Sequence, residues 1–374
     1  MVEVALRPRS SRAFLLEWRR GLDWPVLIAA TVLLGVGLML SLAAGPSAAM
    51  RIGYDDPYHF VKRHVIFSGA AVIILFAMST LDRAWVRRLA ALVFIVSLAM
   101  MAFILVSGHE AKGARRWIRI AGSTLQPSEF IKPALIILTG WLLAQRQLYP
   151  NGPWAAITLV FFVVTLGFLL LQPDVGQSAL LSAAFIITFF VSGLPMRLAA
   201  AFAGVGAALS TVLFLTLPHV QARVMSFINP TAYDTYQIDK ASEAIARGGL
   251  FGVGPGEGKI KTALPDAHTD FIYAVMGEEF GYLAAVAVIF IFGFIVWRGL
   301  KRAARLNDPY PRAAATGLFA LFGLQAAINI AVNVSLIPPK GMTLPFISSG
   351  GSSMLGTALT LGLALALTRR GSWS

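Results

Sequence analysis

Long apolar runs dominate this chain and leave few ways to fold it. Ten recur, at about 24–44, 61–81, 89–107, 129–145, 154–171, 175–194, 198–217, 279–297, 313–336 and 352–368. Each is close to the roughly 20 residues that cross a bilayer as a helix. Backbone polar groups have no water partner in hydrocarbon, so a spanning segment must satisfy them internally, and runs of this length do so as helices. The spacing predicts an all-α polytopic membrane protein of ten transmembrane helices. The second run, beside Lys62-Arg63-His64, and the fourth, carrying Lys132, are the least apolar. The first is of full spanning length and follows a polar segment, which fits an anchor rather than a cleaved leader.

Composition closes the alternatives. Charged residues make up 13% of the 374 residues, against about 25% in a soluble domain. With 57% hydrophobic residues and a mean hydropathy of +0.72, a soluble enzyme and a disordered chain are both excluded. The net charge of +13 does not indicate nucleic acid, because the basic residues lie between apolar blocks and form no stripe. Cysteine is absent, which removes disulfides, thiol nucleophiles and thiolate metal sites.

Basic residues orient the spans. With the N-terminus in the cytoplasm, the inner segments carry 17 Lys and Arg, against 8 in the short outer connections. The expectation is N-in and C-in. Segment 1–23 and tail 369–374 are then cytoplasmic, and 24–368 forms one ten-helix domain with a large extracytoplasmic loop at 218–270. Four outer charges break the rule together: Lys112, Arg115, Arg116 and Arg119. A headgroup-touching loop would hold them, and so would an anionic lipid ligand at the outer surface.

That first large outer connection reads GHEAKGARRWIRIAGSTLQPSE from Gly108 to Glu129. Trp117, Ile118 and Ile120 among arginines fit an interfacial element. Pro127 suits the start of the next helix, and Glu129 suits its first turn. Lys132 lies three residues on, on the same face. The pair fits either a lysine neutralised at the membrane edge with a snorkelling stem or a functional intramembrane pair.

In the second large connection, residues 233–247 read as a short amphipathic helix stopped by Gly248-Gly249. The stretch GGLFGVGPGEG lacks the preceding strand that a nucleotide loop requires, so it reads as a flexible loop on the membrane surface. Asp270 follows where polar loop meets apolar helix. It could cap that helix, or its carboxylate could act as a base, since partial desolvation raises its pKa. His268 beside it could orient it or bind a metal, although no dense His/Asp cluster supports a tight metal site. Of the adjacent Glu278 and Glu279, only one need face the interior. The last outer loop, Pro338 to Ser353, reads as an irregular re-entrant connection. Asn329 and Asn333 before it fit helix-to-helix hydrogen bonding better than ligand contact.

GARRWI followed by LQPSEFIKP, then LPDAHTDFIYAVMGEEFG and KGMTLPFISSGGSS, together resemble the SEDS family of multispanning cell-wall glycan polymerases, which includes RodA and FtsW. The resemblance covers nearly the whole chain from residue 24. The KGMTLPF and PDAHTDF forms are most similar to the division branch, FtsW, with the RodA-type elongation polymerase as the alternative. The last motif departs from the family at Ser349, where Tyr is usual.

The resemblance implies a peptidoglycan glycosyltransferase that polymerises lipid II at the outer face of the bacterial cytoplasmic membrane, at the division site. The HTD aspartate, here Asp270, would be catalytic, with His268, Thr269, Gln126 and Ser128 as orienting candidates. Glu129 and Lys132 match the important residues of the QPSE-x-x-K motif. Arg115 and Arg116, with Lys112 and Arg119, suit the substrate diphosphate, and a divalent cation, Mg2+ or Mn2+, is a candidate to share that task. Implied partners are the growing lipid-linked glycan, an FtsI-type single-span transpeptidase and other division proteins. A lipid II flippase would instead carry its charges in a mid-membrane cavity, and a scaffold would have no use for Asp270.

Overall fold

The computed structural model describes residues 11–107, 109–111, 114–120, 123–193, 197, 201, 204, 206, 208, 211–212, 214–216, 218–229 and 235–370. A short amphipathic helix, α1 (Ser11–Gly21), leads into α2 (Trp24–Ile52), α3 (His59–Ser79) and α4 (Arg83–Ser107). Three strands follow, β1 (His109–Ala111), β2 (Ala114–Ile120) and β3 (Ser123–Leu125), and then α5 (Ser128–Ala144), α6 (Trp154–Leu171) and α7 (Val175–Val191). Helices α8 (Pro218–Ile228), α9 (Tyr236–Gly248) and α10 (Ile260–Ala263) precede α11 (Ile272–Ala303), α12 (Pro309–Asn333) and α13 (Gly351–Thr368).

Seven of these, α2, α3, α4, α6, α11, α12 and α13, are long and apolar enough to span a membrane. α7 is a shorter apolar helix, and α5 carries the ionisable pair of the fourth predicted span. The seventh predicted span, 198–217, falls largely outside the described residues; those described within it are helical. The polytopic helical reading holds, and the first outer connection adds a three-stranded antiparallel sheet, order β1-β2-β3, that apolar periodicity did not announce.

Burial sorts the helices. The most apolar window of α13 is 83% buried, against 28% for α4, so α13 is the central post and α4 faces lipid. The sequence GSSMLGTALTLGLALALT explains this. Small residues let neighbouring backbones approach closely where no hydrophobic effect separates protein from lipid. A Cβ at Gly356 would stand 2.9 Å from the Glu129 carbonyl, and one at Gly362 2.8 Å from Met78.

α11 is broken at Gly281 (φ +79°, ψ −179°), a conformation open essentially to glycine. The break frees backbone groups, and the glycine-rich stretch takes them up. Tyr282 donates to the Gly249 carbonyl (2.9 Å) and Leu283 to that of Leu250 (3.3 Å), while Val253 and Gly254 donate to the carbonyls of Glu278 (3.0 Å) and Glu279 (3.1 Å). The stretch is therefore a strap laid along the broken helix, not the flexible surface loop expected from its composition. The eighth predicted span also starts earlier, at Ile272, so that Glu278 and Glu279 lie within the helix.

Both glutamates face inward, at 0% and 1% exposure, against the expectation that one would suffice. Glu278 accepts backbone N–H groups from Lys259 (2.7 Å), Ile260 (2.8 Å) and Lys261 (3.1 Å). It thereby satisfies donors at the start of α10, where a carboxylate is favoured. Glu279 pairs with the buried Lys261 ammonium. This clasp fixes α10, and the chain runs directly from α10 into the segment that ends at Asp270.

Candidate active site

β2 decides what its arginines can do. Successive residues of a strand point to opposite faces, so Arg115 and Arg119 share one face and Arg116 takes the other. Arg115 and Arg119 are exposed. Arg116 turns inward: its Nε donates to the Gln172 carbonyl (3.0 Å), an Nη donates to the Pro173 carbonyl, and its guanidinium lies 3.8 Å from the Asp174 carboxylate. The structure thus divides the expected diphosphate cluster. Lys112 lies outside the described residues.

Asp174, which the motif reading did not include, joins three elements. It caps α7 by accepting the Gln177 N–H (3.3 Å), and it accepts from the Gln126 side chain (3.3 Å). Burial pushes its carboxyl above the usual carboxylate range, and Arg116 opposes that shift. The Gln126 N–H is bound to Ser352 Oγ at the start of α13 (3.0 Å), and that hydroxyl donates to the Thr124 carbonyl (3.1 Å). Ser128 is buried, and its hydroxyl has no hydrogen-bond partner among the described residues.

The next layer lies inside the bundle. Lys132 is 1% exposed and Glu129 4%, so the lysine does not snorkel. An ammonium has three N–H donors, and three acceptors meet it: Glu129 Oε2 at 3.0 Å, Gln177 Oε1 at 2.7 Å and Gln325 Oε1 at 3.4 Å. Gln177 also donates to Glu129 Oε1 (2.7 Å). Gln325 donates to the Thr343 carbonyl (3.2 Å) and toward Ser353 Oγ (3.4 Å), which anchors the re-entrant loop. A cavity of about 10 Å3 adjoins Glu129 and Lys132, room for a single water. Of the two readings of this pair, the buried one holds, and Gln177 and Gln325 join it inside the bundle.

Asp270 is placed by its backbone. Its carbonyl accepts Nδ2 of Asn329 and of Asn333, each at 2.9 Å. Asn329 also donates to the Met342 carbonyl (2.6 Å), and Asn333 Oδ1 accepts the Ala274 N–H (3.0 Å). The two asparagines do hold elements together, and what they hold is the aspartate segment and the re-entrant loop. The same loop grips the flanking residues: Ser348 Oγ donates to the Thr269 carbonyl (2.6 Å), and the Ser349 N–H to that of His268 (2.9 Å). Thr269 Oγ1 donates to the Asp266 carbonyl (3.2 Å). The His268 ring packs on Phe60 of α3, with centroids 4.2 Å apart.

The Asp270 residue is half-buried. Gly341 passes close to its carboxylate, where a Cβ would stand 3.2 Å from Oδ2. Gln325, Asn329 and Asn333 recur every four residues on α12, on one face, so a single helix holds both the buried charge pair and the aspartate. Among the described residues, no three His, Asp or Glu side chains converge as a metal cage.

Residues 24–372 match the cell cycle protein family FTSW_RODA_SPOVE. The chain belongs to this family. It is 47% identical over 363 residues to the probable peptidoglycan glycosyltransferase FtsW of Caulobacter vibrioides, covering 97% of this chain and 93% of that one. Its fold is similar to a chain of a peptidoglycan synthase complex studied for the coordination of polymerization and crosslinking, with a TM-score of 0.75, 25% identity, and 93% and 97% of the two chains covered. It is also similar to the rod shape determining protein RodA of Thermus thermophilus, with a TM-score of 0.68, 25% identity, and 93% and 96% covered.

Asp174, Gln177 and Gln325 are the residues that sequence reasoning missed. The usable signal was a polar side chain at or inside an apolar run, which is costly in a membrane and carries functional meaning.

Proposed function

We propose that this protein is a peptidoglycan glycosyltransferase of the division type, acting on lipid II at the outer face of the cytoplasmic membrane with Asp270 as its catalytic residue. In the reaction the acceptor sugar's 4-hydroxyl attacks the anomeric carbon of the lipid-linked donor. The new glycosidic C–O bond forms as the bond from that carbon to the diphosphate oxygen breaks. The polyprenyl diphosphate leaves with the electron pair, and the hydroxyl proton passes to Asp270.

One observation carries the assignment. The Asp270 carbonyl is fixed by two buried asparagines while its residue stays half-buried at the loop–helix junction. A general base needs a fixed position and access to the hydroxyl it deprotonates, and this arrangement supplies both. Glu129 and Lys132 act from below as positioning residues, through Gln325 and the re-entrant loop. The likeness to a chain of a peptidoglycan synthase complex that coordinates polymerization and crosslinking supports a membrane-anchored transpeptidase as partner; the division site as location rests on the likeness to FtsW.

Reconstitution of the purified chain with lipid II in liposomes tests the reading. Polymer from the parent and none from a folded Asp270→Asn variant is the expected result. Near-parental polymer from that variant would overturn the catalytic role, and no polymer from the parent would overturn the activity.

A further inference from the structure

The outer end of α3 forms a wall of the site that neither the sequence motifs nor the comparisons assign. Three of its side chains meet the catalytic segments in succession. The Phe60 ring packs on His268. His64 Nδ1 lies 3.2 Å from Ser349 Oγ, so the hydroxyl at the position where the family usually has Tyr is bound to α3. Phe67 abuts Gly351, where a Cβ would stand 2.6 Å from the ring. Residues 60, 64 and 67 follow helical spacing along one face.

Arg63 stands in the middle of this face, three residues after Phe60 and four before Phe67. Its guanidinium lies over the Phe67 ring, 5.9 Å from the centroid. The residue is half-buried, yet among the described residues no carboxylate pairs with it. The nearby Asp56 is engaged by Lys62 (2.8 Å) and by the Tyr58 N–H (3.0 Å). The Arg63 charge is thus oriented by an aromatic ring and left, among the described residues, without a protein carboxylate to neutralise it. Arg116, the motif arginine proposed for the same task, is already bound to Asp174 and two carbonyls.

We propose that Arg63 binds the diphosphate of the lipid-linked substrate, its guanidinium held over the Phe67 ring on the α3 wall of the site. The proposal rests on the glycosyltransferase reading for the identity of the ligand. Its chemistry is that of a planar cation facing paired phosphate oxygens, which a guanidinium engages in two places and an ammonium does not. The leaving group's charge grows as the anomeric bond breaks, so such a contact strengthens in the transition state.

The test measures binding, which does not depend on turnover. Purified full-length parent, Arg63→Gln, Arg63→Lys and Lys62→Gln are compared for affinity to polyprenyl diphosphate and to polyprenyl monophosphate of the same chain length, in nanodiscs of zwitterionic lipid. Melting temperatures of all four are recorded. The expected result is a loss of about tenfold or more in diphosphate affinity for Arg63→Gln, with monophosphate affinity changed far less. Arg63→Lys should keep its fold and fall between, and Lys62→Gln should match the parent. Parental diphosphate affinity in Arg63→Gln, full function in Arg63→Lys, or an equal loss for both lipids would overturn the assignment. If Arg63→Gln does not fold, Arg63→Lys against the parent decides. A parent that binds polyprenyl diphosphate but makes no polymer would refute the glycosyltransferase reading and leave the Arg63 result standing.

Discussion

Replacing Lys132 by Met removes the ammonium while keeping an unbranched stem of similar length. The change leaves the Glu129 carboxylate at 4% exposure without its cation, and three acceptors lose a donor. Deleting one partner of a buried pair costs about 3–5 kcal/mol. A chain of this size loses about 2 °C of melting temperature per kcal/mol, so the variant should melt roughly 6–10 °C lower in detergent micelles. In Glu129→Gln/Lys132→Met, both charges are gone and a neutral amide sits beside Gln177. The double variant should therefore recover at least about half of the lost stability, a coupling of about 1.5 kcal/mol or more. Thermal unfolding followed by intrinsic fluorescence gives both numbers, and polymer yield gives the functional counterpart. A Lys132→Met protein that melts within about 2 °C of the parent, or single effects that simply add in the double variant, would refute the buried-pair reasoning.

Three further outcomes follow from the geometry. Asn333→Leu deletes a donor to the Asp270 carbonyl and the acceptor for Ala274; polymerisation should fall by at least about tenfold, largely in kcat, because the aspartate is displaced rather than removed. Arg116→Lys keeps the charge but cannot serve Gln172, Pro173 and Asp174 together; it should lower melting temperature and leave the apparent KM for lipid II within about twofold, whereas a large KM rise at unchanged stability would restore Arg116 as a diphosphate ligand. Gly281→Ala places a Cβ where the Gly252 N stands 2.4 Å away at φ +79°, and should cost about 3 kcal/mol or more, visible as reduced yield of folded protein.

The sequence made the membrane class legible because burying apolar length in lipid is a one-dimensional property that survives without tertiary information. The positions of Asp270, Glu129 and Lys132 were legible for the opposite reason, since ionisable residues stand out against apolar surroundings. What could not be read was which charges meet. Arg115 and Arg116 are neighbours in the chain, and only the strand conformation of β2 sends them to opposite faces. Asp174 stands in the short turn between two apolar runs, and its meaning depends on Gln126 and Arg116, which lie about 50 positions earlier. The GGLFGVGPGEG strap was misread because its partner is the backbone freed by the Gly281 break, and a φ value leaves little trace in composition. Arg63 stands in the sequence only as part of a basic triplet beside the second apolar run, because its neighbours Phe60, His64 and Phe67 acquire meaning only once α3 is docked.

The three amides on α12 make assembly of the proposed catalytic centre nearly all-or-none. A helix is a stiff rod with a rise of about 1.5 Å per residue, so Gln325, Asn329 and Asn333 sit at steps of about 6 Å along it. Any axial slip or tilt of α12 moves all three together and breaks, in one event, the links to Lys132, to the re-entrant loop and to Asp270. The enzyme therefore has no gentle route from active to inactive through this helix. A bilayer whose thickness forces α12 to tilt should reduce the fraction of working molecules while leaving the turnover of those that still work unchanged.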